Sequence, residues 1–158
     1  MIRPQSGLFA PYVRRAASSL AVLITLVGCS SPTPSVSVAD QAVKDDSVTI
    51  AKIVSAGPGW MVIHKDSGGA PGPVVGYAAV RKGDNDNVTV KIDAYSATPT
   101  LYAMLHKDLG AVGTYEFPGP DVPVMVKGAM VSPAFKVSDL DARVLVKDQA
   151  IQDGSVTI

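Results

Sequence analysis

Val88-Thr89-Val90-Lys91-Ile92 alternates apolar and polar side chains residue by residue. In an extended strand successive side chains point to opposite faces, so Val88, Val90 and Ile92 share one face and Thr89 and Lys91 the other. That is the pattern of a strand with one buried and one wet face. The segments on either side read the same way. Short Val-rich runs at 47–54, 60–65, 74–80, 100–106, 122–127 and 134–137 join 87–93 as expected strands. Trp60-Met61-Val62-Ile63-His64 is apolar on both faces, as a strand covered on both sides would be. Turn chemistry separates the runs: Gly57-Pro58-Gly59, Gly68-Gly69, Pro71-Gly72-Pro73 and Asp84-Asn85-Asp86-Asn87. No segment keeps a helical period over three turns. Short strands at this spacing predict an all-β fold, an antiparallel immunoglobulin-like β-sandwich of about seven strands.

The chain has 158 residues, enough for one domain and a tail. A domain of that size can bury a core without disulfides. The formal net charge is zero, which argues against a nucleic-acid partner. A single Cys excludes a disulfide framework and a Cys-rich zinc site.

The first residues are set aside from the fold. Arg3, Arg14 and Arg15 form a positive region without acids, followed by the 13-residue apolar run 16–28. That run is too short to span a bilayer as a helix and fits the apolar part of an export signal. It ends in Leu26-Val27-Gly28-Cys29, which resembles the lipobox of bacterial lipoproteins. The resemblance implies a lipoprotein signal peptide at 1–28, cleavage before Cys29, and lipidation of Cys29. The alternative is a secreted protein, or an uncleaved anchor, in which Cys29 is incidental. Residues 29–39 are rich in Ser and Pro and read as a flexible tether. The β-sandwich domain is then expected at 40–141. Loss of the signal removes three Arg, leaving 11 basic against 14 acidic residues. The mature chain is thus mildly acidic, with no thiol free for catalysis.

Two internal repeats stand out. Trp60-Met61-Val62-Ile63-His64-Lys65-Asp66 matches Tyr102-Ala103-Met104-Leu105-His106-Lys107-Asp108, each followed by one residue and a Gly. Both are expected to be core strands leaving the sandwich at equivalent corners. At the end of the chain, 148–158 repeats 40–50, with Asp148-Gln149-Ala150 matching Asp40-Gln41-Ala42 and Ser155-Val156-Thr157-Ile158 matching Ser47-Val48-Thr49-Ile50. Residues 142–158 therefore read as a strand segment that repeats the domain start. It could pair with another copy by strand exchange or lie on a free edge of its own domain.

The runs Gly57-Pro58-Gly59-Trp60 through His64, Leu101-Tyr102 through Asp108, and Tyr115-Glu116-Phe117-Pro118-Gly119 with Asp121 carry a further resemblance. From about Asp40 to Val137 the chain resembles an uncharacterised extracellular β-sandwich domain found, often in tandem, in archaeal and bacterial surface proteins. The resemblance implies a fold and an extracytoplasmic location, but no activity.

His64 and His106, with Asp66 and Asp108, form the one His/carboxylate constellation. Adjacent corners would let these four ligands converge on a metal such as Zn or Cu. The simpler reading is that each His and Asp closes its own turn. A blue-copper site would need a Cys beside His, and Cys29 is elsewhere. Asp84-Asn85-Asp86-Asn87 has the oxygens of a calcium loop but lacks its Gly and later Glu, and reads as a turn. The aromatic residues Trp60, Tyr77, Tyr95, Tyr102, Tyr115 and Phe117 could stack sugars, and are mostly expected in the core or at corners. Glu116 and Asp121 as a hydrolase pair are possible on paper, and a turn at Pro118-Gly119-Pro120 explains them more simply. No nucleophile elbow or phosphate loop is present. The sequence therefore predicts a lipid-anchored envelope protein, a structural or interaction module and not an enzyme, with no cofactor. Its expected partners are the membrane through the lipid anchor, other envelope proteins and a second copy, and not nucleic acid. The alternative is an extracytoplasmic metal-binding module using His64 and His106.

Overall fold

The computed structural model describes residues 32–140. The expected signal peptide at 1–28, Cys29 and the expected strand segment at 142–158 lie outside the described residues. Among the described residues every regular element is a strand: β1 (Ser35–Ser37), β2 (Gln41–Ala42), β3 (Ser47–Ser55), β4 (Gly59–Asp66), β5 (Pro71–Val80), β6 (Gly83–Lys91), β7 (Thr100–Lys107), β8 (Met125–Val126), β9 (Ala129–Met130) and β10 (Ala134–Ser138). A three-stranded sheet runs β1-β3-β6 and a five-stranded sheet runs β2-β10-β7-β4-β5. Neighbours are antiparallel apart from β2 and β10. The fold is all-β, as the alternation predicted.

The two sheets share one apolar core. Val48, Ile50, Ile53 and Val90 come from the small sheet, and Met61, Ile63, Leu101, Ala103, Leu105 and Phe135 from the large one. In the stretch that opened the reading, Val90 and Ile92 are buried while Thr89 and Lys91 are exposed. Gly76 marks a place where the sheets meet edge to edge, bridging to Ile92. A Cβ on Gly76 would strike the Lys91 carbonyl, so only glycine lets β5 approach that closely.

Three local expectations are corrected. Asp84-Asn85-Asp86-Asn87 is not a turn but part of β6, paired with β3 from Asp84 to Lys91. The turn sits earlier, at 81–83, where the buried Asn85 side chain accepts from Arg81 N (2.9 Å) and donates to Arg81 O (2.8 Å). Gly83 supplies the left-handed backbone, at φ 91°. Asp84 and Asp86 project together toward Lys52 of β3, at 3.0 and 3.9 Å, so a Lys occupies the place of any calcium ion. The segment 122–127 is not one strand. Val122 and Val124 hydrogen-bond along β7, and the chain then folds into the β8–β9 hairpin. Lys127 and Gly128 both have positive φ there, as a two-residue primed turn requires. Finally, the distal part of the expected tether is a strand: Ser35–Ser37 pairs with β3 at Val54, Ile53 and Lys52.

The segment 40–50 passes from the large sheet to the small one. Gln41 clamps it, with Oε1 accepting from Thr49 N at 2.7 Å and Nε2 donating to Thr49 O at 3.0 Å. Asp40 Oδ1 accepts from Lys136 N at 2.7 Å. These contact-making residues are identical in the copy at 148–158.

Candidate functional site

The repeated motif places itself. β4 and β7 are antiparallel neighbours, with Trp60 opposite His106, Val62 opposite Met104, and His64 opposite Tyr102. Each aromatic thus faces the other motif's His, in a local two-fold arrangement centred on Val62 and Met104. Cross-strand partners share a face. Trp60, Val62, His64, Met104 and His106 therefore stand on the face of the large sheet turned away from the main core. All five are buried all the same.

What buries them is the segment 108–121. The chain leaves β7 after Lys107 and returns at Val122, whose carbonyl accepts from Lys107 N at 3.0 Å. Between those points it folds back over the sheet as a cover. Phe117 sits edge-on to His106 with centroids 4.8 Å apart, and also packs against His64 at 6.1 Å. Tyr115 contacts Tyr77 at 4.2 Å and Trp60 at 5.6 Å. The cover is tied from within by carboxylates taking backbone N–H groups, which a turn without regular pairing otherwise leaves unsatisfied. Asp121, fully buried, accepts from Leu109 N at 2.9 Å and Glu116 N at 2.8 Å. Glu116 accepts from Ala111 N at 2.6 Å and Asp108 from Gly113 N at 2.9 Å. The N–H of Leu109 first, then those of Glu116 and Gly110, hold the Asp121 carboxyl below the usual carboxylate range.

The two imidazoles come together beneath this cover, with ring centroids 5.7 Å apart and planes within 22° of parallel. His64 Nδ1 lies 2.6 Å from the Gly72 carbonyl and His106 Nδ1 2.8 Å from the Asp121 carbonyl. A backbone carbonyl only accepts, so both Nδ1 atoms carry the proton. Burial lowers the pKa of both rings, outweighing the carbonyls. Burial thus favours the neutral rings, in which each Nε2 presents a bare lone pair. Neither Nε2 has a hydrogen-bond partner. A register shift in the β4–β5 pairing opposite His64 brings Gly72 to it; such irregularities re-aim side chains.

The carboxylates do not join the histidines. Asp66 lies at one end of the β4–β7 pair, where Oδ1 accepts from Tyr102 OH (3.0 Å) and Gly69 N (3.1 Å). Asp108 lies at the opposite end, beyond Lys107. The two corners are thus far apart, because antiparallel neighbours end at opposite edges of the sheet. Among the described residues no three His, Cys, Asp or Glu side chains are grouped to hold a metal. Met104 was not singled out from the sequence, and Asp121 was raised there only as a partner of Glu116 and not as an anchor of a cover. Parity alone points to Met104, two residues before His106 and so on the same face. Asp121 had no such signal, since its role depends on how the cover folds.

These observations define an all-β domain of two packed sheets with a buried His pair under an aromatic cover. Residues 34–138 match the family described as a domain of unknown function, DUF7282, and the chain belongs to that family. No curated protein and no solved structure matches the chain.

Proposed function

We propose that the protein is a lipid-anchored cell-envelope protein whose immunoglobulin-like β-sandwich serves as an interaction module. The observation that carries this reading is the placing of exposed apolar side chains. Leu109, Val112, Val122, Met125 and Met130 are all exposed, and all belong to the cover and the hairpin after it. Leu109 and Met125 also line a cleft of about 430 Å³ with Pro34, Gly57 and Pro58. Apolar side chains gathered on one stretch of surface are the usual mark of a contact face. The Leu26-Val27-Gly28-Cys29 sequence supports the anchor, and β1 begins only six residues after Cys29. Such a short link holds the domain close to the bilayer.

The test is made in cells. Cys29→Ala moves the protein from the membrane to the soluble fraction, and intact-mass analysis finds acyl chains on the unmutated Cys29. A photo-crosslinker at Val112 gives a defined adduct that Leu109→Ser with Met125→Ser abolishes. A protein that is equally soluble with and without Cys29, or a crosslinker that reports no partner, rejects the reading. A second reading, extracytoplasmic metal binding at His64 and His106, is favoured by the two unpartnered Nε2 atoms.

A further inference from the structure

We propose that His64 Nε2 and His106 Nε2 hold a single copper(I) ion, with the Met104 thioether as the third ligand. The inference rests on the second reading above, and replaces its carboxylates with a thioether.

Both rings are held in one tautomer. Both Nδ1 protons are committed to backbone carbonyls, at 2.6 and 2.8 Å. Fixing one ring nitrogen by a hydrogen bond to a carbonyl is the arrangement that orients metal-binding histidines. It leaves two lone pairs on adjacent rings, His64 4% and His106 0% exposed, without a donor. A buried acceptor with nothing to accept from is costly, and two of them side by side call for one shared guest.

Ligand chemistry selects the ion. The site offers imidazole nitrogens and, between them on the same face, buried Met104. Hard ions such as Ca²⁺ and Mg²⁺ take oxygen ligands, whereas thioether and imidazole together select copper(I). Asp66 and Asp108 stand at opposite ends of the β4–β7 pair, Asp66 taking Tyr102 OH and Gly69 N and Asp108 taking Gly113 N, so neither is part of this set.

Charge points the same way. The Born cost of burying an ion rises with the square of its charge, so an apolar pocket with neutral ligands favours a monovalent ion. The Asp121 charge acts on His106; Asp121 is fully buried and its own backbone carbonyl holds that ring. Among the described residues no cationic side chain pairs with Asp121. One positive charge on the His pair would balance it.

The test uses the full chain in detergent, without oxygen, titrated with copper(I) against a chromophoric copper(I) chelator. The expected result is one copper per chain, with X-ray absorption showing two nitrogen scatterers and one sulfur. Nitrogen NMR should show both Nε2 resonances shifting while both Nδ1 atoms keep their protons. His64→Phe should weaken binding by more than about 100-fold, and volume-conserving Met104→Leu by about tenfold with loss of the sulfur shell. If His64→Phe does not fold, the Met104→Leu and NMR results decide alone. Zinc(II) bound at these nitrogens without copper(I) overturns the copper assignment but keeps the metal reading. No stoichiometric metal of either kind, with unmoved Nε2 resonances, overturns both and assigns the lone pairs to a buried water.

Discussion

His106→Ala removes a ring that is fully buried and that ties the cover to β7. Its effect on stability can be worked from its surroundings. Truncating a buried Phe to Ala costs about 3–5 kcal/mol, and an imidazole, being smaller, about 2–3. The carbonyl left without its donor adds about 1 kcal/mol. The total is about 3–4 kcal/mol, a large part of the ~5–15 kcal/mol available to a single domain. With a urea slope of about 1–1.5 kcal/mol per molar for a domain this small, the midpoint falls by about 2–4 M. The assay is equilibrium urea unfolding of the metal-free protein, followed by tryptophan fluorescence from Trp60. His64→Ala is the internal comparison. Its Gly72 partner is only partly buried, so water can replace the lost donor and the midpoint falls less. A shift below about 0.7 M for His106→Ala, or a larger shift for His64→Ala, would refute the account of the cover as anchored through His106.

Three further outcomes are expected. Burial first, then the Asp121 charge and Tyr77, push the Tyr115 phenol up to about 12. Because the folded value lies above the unfolded one near 10, its stabilising contribution is complete below pH 10 and is lost as pH rises through 12. Ultraviolet titration should show a late-ionising tyrosine that Tyr115→Phe removes, and an unchanged titration curve speaks against that burial. Gly59→Ala places a Cβ against the His106 carbonyl inside the β4–β7 ladder, so it should destabilise by about 1–3 kcal/mol, read as a lower melting temperature; an unaltered melt contradicts the close approach. Deleting 148–158 should change the oligomeric state or the stability if that copy of 40–50 engages a sheet. Identical sizing profiles and melting curves would count against strand exchange.

The strands were legible where one face is wet or both are covered. The period-two alternation at 88–92 and the doubly apolar run at 60–64 each fixed an element correctly, because side-chain parity is a local property. The edges were less legible. Asp84 to Asn87 looked like a turn by composition, but two acids can stand on a strand when a Lys on the next strand neutralises them, and Lys52 is 32 residues away from Asp84. Ser35–Ser37 looked like tether because a three-residue edge strand has too few positions to show a period. At the site, the repeated His-Lys-Asp motif was visible. Its meaning was not, because whether the two corners meet depends on β4 and β7 being antiparallel neighbours. That same pairing brought the histidines together and sent the aspartates to opposite ends.

The return of the cover to the strand it left has a consequence for how the domain can diversify. Its two ends are already held side by side by the Lys107–Val122 hydrogen bond, so the closure of 108–121 does not have to be won by its own contacts. Doubling the length of such a loop costs only about 0.6 kcal/mol in closure entropy. The pair of imidazoles belongs to the strands, and what lies over them belongs to an exchangeable cassette. Insertion or replacement at that single point in the chain would change what covers the imidazoles without disturbing the strands that carry them.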